Sequence, residues 1–219
     1  MKILALEFSS DLRSAAVVVE GLLRGRAQET DTREGRPLGL IDAALSAAAI
    51  EREDIECLAV GLGPGSYAGI RSAIALAQGW QLARRAKILG ISSVECLAAQ
   101  AQAEEMYGRV NVVSDAQRNE FYLASYDASA AGYREAVPLR LAAREEVLAL
   151  AQAGEMVLGP EVEKWFSAGR VLFPDAAMLG QMAAQRRDYL PGERLEPIYL
   201  RETRFVKAPP PRIIPNTKG

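Results

Sequence analysis

Histidine is missing from all 219 residues. With it go the zinc sites built on imidazole, the Ser-His-Asp triad and the Cys-His dyad, which together carry the commonest hydrolase chemistries. Cysteine is nearly as scarce: Cys57 and Cys96 lie far apart in apolar surroundings and read as two reduced core thiols. No metal site is expected from what remains. Long apolar runs are lacking too, since none approaches the ~20 residues of a membrane span. The opening stretch Met1-Lys2-Ile3-Leu4-Ala5-Leu6-Glu7 is too short for a signal peptide and meets an acid at once. The expectation is a cytoplasmic protein without a membrane partner. Excess positive charge is also absent: a net charge of -2 argues against a broad nucleic-acid surface, so any such contact is expected to be local or borrowed.

What is present is ordinary in bulk and unusual in one place. With 49% apolar and 25% charged residues, the chain has the composition of a soluble globular protein, long enough for one large domain or two small ones. The stretch Gly61-Leu62-Gly63-Pro64-Gly65-Ser66-Tyr67-Ala68-Gly69-Ile70-Arg71 lies between an apolar strand at 57–60 and a helical run at 68–85. That makes it a strand-to-helix turn at the edge of a sheet, where α/β proteins place their sites. Gly63, Gly65 and Gly69 allow positive φ or close approach, and Ser66 can cap the helix that follows. The loop reads either as a phosphate or partner site or as a tight turn that simply needs glycine. It is neither a Walker loop nor a dinucleotide fingerprint.

Along the chain, strands are expected at 3–8, 14–19 and 22–30, with Gly21 marking the hairpin and Gly25 weakening the third strand. Ser9-Ser10-Asp11 forms a polar turn of the kind in which actin-like and sugar-kinase-like ATPases hold phosphate, with Glu7 as the available acid; an ordinary polar turn is the alternative. Pro37 starts an amphipathic helix over 37–50 with Leu38, Ile41 and Leu45 on its apolar stripe. The helix after the glycine loop carries Ala68, Ser72, Ala75, Gly79 and Ala83 on one side, with Leu76 flanking. That small-residue face suits packing on the protein's own sheet or a close helix from another subunit. A strand at 86–91 and a Ser92…Glu95 capping box lead into a helix to 104. From Gly108 a second α/β unit follows, with strands at 110–113, 120–126, 133–139, 156–158 and 171–173. Its helical runs are at 143–153, 161–166 and 176–187. The close is an extended piece at 196–201 and a proline-rich tail from 208. No repeat in residue identity is visible.

Taken together, Ile3-Leu4-Ala5-Leu6-Glu7-Phe8-Ser9-Ser10, the Gly61–Arg71 loop, Gly90-Ile91-Ser92-Ser93-Val94-Glu95, the stretch 115–126 and Pro197-Ile198-Tyr199-Leu200-Arg201 resemble the TsaB (YeaZ) family, over nearly the whole chain. This is the bacterial subunit required to make threonylcarbamoyl-adenosine (t6A) in tRNA. The resemblance implies a two-lobed actin-like ATPase (ASKHA) fold with a degenerate nucleotide site, in lobes 1–106 and 107–219. It implies a non-catalytic subunit that pairs with the catalytic paralogue TsaD, recruits the ATPase TsaE and meets tRNA only through that complex, with a homodimer as an option when alone. No cofactor is expected to bind tightly; at most ATP or ADP with magnesium binds weakly at Glu7, Ser9, Ser10, Gly63, Gly65 and Ser66. The partner surface carries over onto the helices at 37–50 and 68–85, that is Leu38, Ile41, Leu45, Ala68, Ser72, Ala75, Leu76 and Gly79. Two readings compete with it: a self-sufficient nucleotide phosphohydrolase using the glycine loop and Glu7, and a glycoprotease-like peptidase. One departure is clear: family members often have His-Ser before the first helix, where this chain has Glu34-Gly35-Arg36-Pro37.

Overall fold

A computed structural model describes residues 1–30 and 36–200. Glu34 and Gly35, Arg201 of the closing motif and the proline-rich tail lie outside the described residues.

The first sheet grows from short apolar runs buried on both faces and one tight hairpin. Strand β1 (Lys2–Glu7) pairs antiparallel with β2 (Arg13–Val19), which turns at Glu20 and Gly21, both at positive φ, into β3 (Leu22–Glu29). Gly25 weakens β3 as a sequence signal, yet its place is forced by packing. A Cβ there would drive into the backbone of Ala44 and Ala48 on α1 (Pro37–Ala48), so only glycine lets that helix lie on the strand. Strands β4 (Cys57–Gly61) and β5 (Lys87–Ile91) then add in parallel, giving the order β3-β2-β1-β4-β5. The second sheet follows the same plan. Strands β6 (Gly108–Asp115), β7 (Glu120–Ser129) and β8 (Gly132–Ala143) form the antiparallel part, and β9 (Met156–Gly159) and β10 (Arg170–Val171) add in parallel. Read from its antiparallel edge, the order is β8-β7-β6-β9-β10. The chain therefore repeats one topology twice, which is the two-lobed actin-like architecture.

The layers follow from which strand face is apolar. Leu4, Leu6, Leu58, Val60 and Ile88 meet α1 and α2 (Tyr67–Arg84) on the outer face of the first sheet. Ile3, Ala5, Ala59 and Leu89 face inward, against α3 (Ser93–Ala103) and α5 (Ala176–Ala184). Helix α3 also presents Val94, Leu97 and Ala101 to β6 and β7, so it is buried on both sides, with Glu95, Gln100 and Gln102 as its larger polar residues. Helix α4 (Arg144–Gln152) covers the far face of the second sheet through Val147. Where the first lobe has the 18 residues of α2, the second has a 3-10 turn of only 3 residues, Val162–Lys164, with Phe166 filling the space.

The chain crosses between lobes more than once. After the passage at 107, segment 173–176 returns to the first sheet. There the Ala176 amide donates to Ser14 Oγ at 2.9 Å, Gln100 Nε2 donates to the Phe173 carbonyl at 3.0 Å, and Asp175 caps α5 while pairing with Arg26. Further on, Leu190 and Ile198 donate backbone hydrogen bonds to Ile88 and Leu62 of the first lobe. Both cysteines are free and buried, and burial pushes the Cys57 thiol up to about 11. No helix among the described residues is long and apolar enough to cross a membrane.

Candidate functional site

Duplicated topology brings duplicated turns to one place. The β1–β2 turn supplies Ser9, Ser10 and Asp11, and the β6–β7 turn, with the strand end before it, supplies Ser114, Asp115, Ala116 and Gln117. Both face a cavity of about 690 Å³ between the lobes. The glycine loop closes one wall with Gly65, Ser66, Tyr67 and Ala68; Tyr122, Pro160, Glu161 and Tyr199 complete the lining.

The glycine loop holds its shape through close backbone approach. Gly63 and Gly65 have φ of 86° and 148°. A side chain at Gly65 would strike the Ser9 carbonyl, and one at Gly69 the Phe8 carbonyl, so the loop lies directly on the first turn. The Ser66 amide donates to the Ser9 carbonyl at 2.7 Å, and Ser66 Oγ accepts from the Gly69 amide at 3.3 Å as the expected helix cap. On the other side, Ser93 Oγ accepts from the Gly63 amide at 3.1 Å, and the Ser93 amide donates to the Gly63 carbonyl at 2.8 Å. The capping box expected at Ser92 does not form. Ser92 Oγ donates instead to the Gly63 carbonyl at 3.4 Å, and Glu95 is drawn away to Arg186 and Tyr133. Tertiary partners outcompete the local cap.

Glu7 sits beneath this site rather than in its wall. The carboxylate is fully buried on the inward face of β1, where Oε1 accepts from the Ser9 amide at 2.8 Å and Oε2 accepts from Ser93 Oγ at 2.8 Å. Gly61 leaves the space the carboxylate fills. Burial raises its pKa above the ordinary value, and the Ser9 and Ser93 hydrogen bonds partly oppose that shift. Of the six residues picked for nucleotide, Ser9, Ser10, Gly65 and Ser66 meet at the cavity, Gly63 is buried one step behind, and Glu7 ties the first turn to α3 from below. The acids that do line the cavity are Asp11, Asp115 and Glu161. Sequence reasoning noted Asp11 only as part of a turn and passed over Asp115 as a site residue. The available signal was the Ser-Asp pair recurring at Ser10-Asp11, in the turn after β1, and at Ser114-Asp115, the last two residues of β6.

No lysine or arginine lines the cavity among the described residues. Lys164 stands nearby but is paired with Glu161 at 2.9 Å; that hydrogen bond, aided by Asp11 and Asp115, raises its pKa. A polyphosphate would therefore meet carboxylates without a matching cation and would need to bring a divalent ion with it. Among the described residues no three His, Cys, Asp or Glu side chains cluster as a metal site.

The outer helices divide sharply. On α2, Ile70, Ala73, Ile74 and Ala77 pack into the core, whereas Ala68, Ala75 and Gly79 are exposed and Ser72 and Leu76 are partly so. A Cβ at Gly79 would meet nothing within 4 Å, and Leu82 beyond it is 88% exposed. Leu38 on α1 is exposed as well. Ile41 and Leu45, placed with them in the sequence reading, are instead core residues of the first lobe and contribute no surface. The helical stripe of α1 serves its own sheet, and its outward side carries Leu38, Asp42, Ala43, Ser46 and Ala47.

Comparison with known proteins agrees with the geometry. The family model described as TsaD, tRNA N6-adenosine threonylcarbamoyltransferase, matches residues 35–190. The tRNA threonylcarbamoyladenosine biosynthesis protein TsaB of Escherichia coli is 29% identical over 92% of this chain and 95% of its own. The Haemophilus influenzae protein of the same name is 28% identical over 95% and 98%. YeaZ from Pseudomonas aeruginosa superposes with a TM-score of 0.76 at 25% identity, covering 91% of this chain and 99% of that one.

Proposed function

The chain belongs to the TsaB (YeaZ) family, and from that membership we propose that it is a non-catalytic subunit for t6A modification of tRNA. In this reading it pairs with a catalytic TsaD-type paralogue through the outer face of α2, and the pair recruits the TsaE ATPase. The observation that carries the reading is the open small-residue face of α2. A helix of 18 residues that leaves Ala68, Ala75 and Gly79 exposed offers another helix a close approach without displacing any side chain. Ser72 and Leu76 extend that face, Leu82 gives it an apolar anchor, and Leu38 is exposed on α1. The inventory at the cavity supports the non-catalytic part: hydroxyls and carboxylates line it, with no imidazole anywhere in the chain. Nucleotide binding in the cleft is correspondingly weak and needs magnesium. The test is reconstitution from purified components. TsaD, TsaE, tRNA, ATP and an activated threonylcarbamoyl donor supplied ready-made should give t6A only when this chain is added, and the chain alone should turn over neither ATP nor peptide.

A further inference from the structure

Two tyrosines from distant parts of the sequence meet at the mouth of the interlobe cavity. Tyr67 opens α2 and Tyr199 lies on the returning C-terminal segment; their ring centroids are 6.1 Å apart with planes inclined at 55°. Both line the cavity, yet they remain 52% and 50% exposed. One turn along α2, the Arg71 guanidinium lies 5.4 Å from the Tyr67 ring centroid and donates to Tyr67 Oη at 3.1 Å. Among the described residues no carboxylate pairs with Arg71, whereas Arg26, Arg109 and Arg140 are all paired. The site is thus polarised: an unneutralised cation outside, aromatic faces at the mouth, and hydroxyls with Asp11 and Asp115 inside.

That polarity selects a ligand chemistry. A phosphate inside the cavity would face Asp11 and Asp115, while a ring bearing amino and N–H groups would find acceptors there. The order of phosphate outside, stacking at the threshold and base edge inside is that of a single-stranded nucleic acid with one base turned inward. We propose that Tyr67, Tyr199 and Arg71 form a contact for single-stranded RNA, with a nucleobase stacked at the cavity mouth and its backbone phosphate on Arg71. The choice of RNA over DNA rests on the t6A reading; the chemistry of the site does not. A local contact of this kind is compatible with a net charge of -2, because it needs one free guanidinium rather than a basic face.

The test is fluorescence anisotropy of the full chain with a labelled eight-nucleotide oligoadenylate, alongside an abasic oligomer of the same length. Base stacking contributes enough that Tyr67→Ala and Tyr199→Ala should each weaken binding by about 5-fold or more, while Tyr67→Phe and Tyr199→Phe keep most of it. Arg71→Ala should lower the salt dependence by ~0.7 in the slope of log K against log salt, the value for one phosphate on a single strand. The abasic oligomer should bind poorly. The proposal is overturned if the wild-type chain does not bind, if the alanine variants, folded by thermal melting, bind as wild type, if phenylalanine fails as badly as alanine, or if the abasic oligomer binds equally well. Wild-type chain that supports t6A synthesis in the reconstituted system yet ignores the oligomer sinks this inference alone. Chain that binds the oligomer as described but does not support t6A sinks the functional reading and leaves the RNA contact standing.

Discussion

Glu7 is a fully buried carboxyl held by the Ser9 amide and the Ser93 hydroxyl. Its folded pKa lies above the ordinary value of 4.5, chiefly because burial disfavours the charge. The folded chain therefore binds more protons at this position than the unfolded chain from about pH 4.5 upward to the folded value, and stability falls as pH rises through that window. Glu7→Gln cannot ionise and lacks the slope. Urea melts of both proteins at pH 4 and pH 8 should show the Gln variant gaining on wild type at the higher pH. A gap moving the other way would mean that the Ser9 and Ser93 donors outweigh burial. Gly65 makes a second residue-scale test. Alanine there would meet the Ser9 carbonyl at a backbone angle that favours glycine, so Gly65→Ala should destabilise by about 1–3 kcal/mol, read as a lower midpoint in the same melts. The glycines were legible in the sequence; that the first turn is what they approach was not, because residues 9 and 65 become neighbours only through the pairing of β1 with β4.

At the scale of elements, the sequence was most readable where periodicity and packing agreed. The strands of the first sheet and both outer helices fall within a residue or two of expectation. It was least readable where tertiary contacts decide: the capping box at Ser92 gave way to the Gly63 carbonyl, and the helical run at 161–166 shrank to the 3-10 turn at Val162–Lys164. On α1, the apolar stripe could not say whether Ile41 and Leu45 faced a sheet or a partner, since both need the same residues. Helix α5 offers a test of local against tertiary anchoring. Asp175 caps it through the Ala177 amide at 2.7 Å and also receives Arg26 and Gln28. Asp175→Ala should cost about 1–2 kcal/mol from the cap alone, lowering the thermal midpoint by roughly 2–8 °C for a chain of this size. The half-exposed Arg26 pair adds little to that. A midpoint unchanged within error would show that Ser14 and Gln100 hold the crossover without it.

The whole molecule is one topology written twice; residue identity does not show it, because the lobes share strand order without sharing residues, and it was the family resemblance that implied two actin-like lobes. What the two lobes share is the strand order and a first turn that faces the cavity. Divergence is concentrated in one element. The second lobe keeps only a short 3-10 turn where the first keeps all of α2, so just one lobe presents a long outer helix with an open face. That asymmetry is the physical basis for assigning partner binding to the first lobe and for expecting little chemistry in the cleft. The most direct measurement is Gly79→Arg in the reconstituted t6A system, with thermal melting and TsaD binding followed on the same preparation. Because nothing lies within 4 Å of the Gly79 Cβ position, and because arginine is a better helix former than glycine by roughly 0.5–1 kcal/mol, the variant should melt no lower than wild type. The long charged side chain should nonetheless hold a facing helix away, weakening the TsaD complex by several kcal/mol and abolishing t6A formation. A variant that binds TsaD and supports t6A as wild type does, or one that melts far below it, would contradict the account.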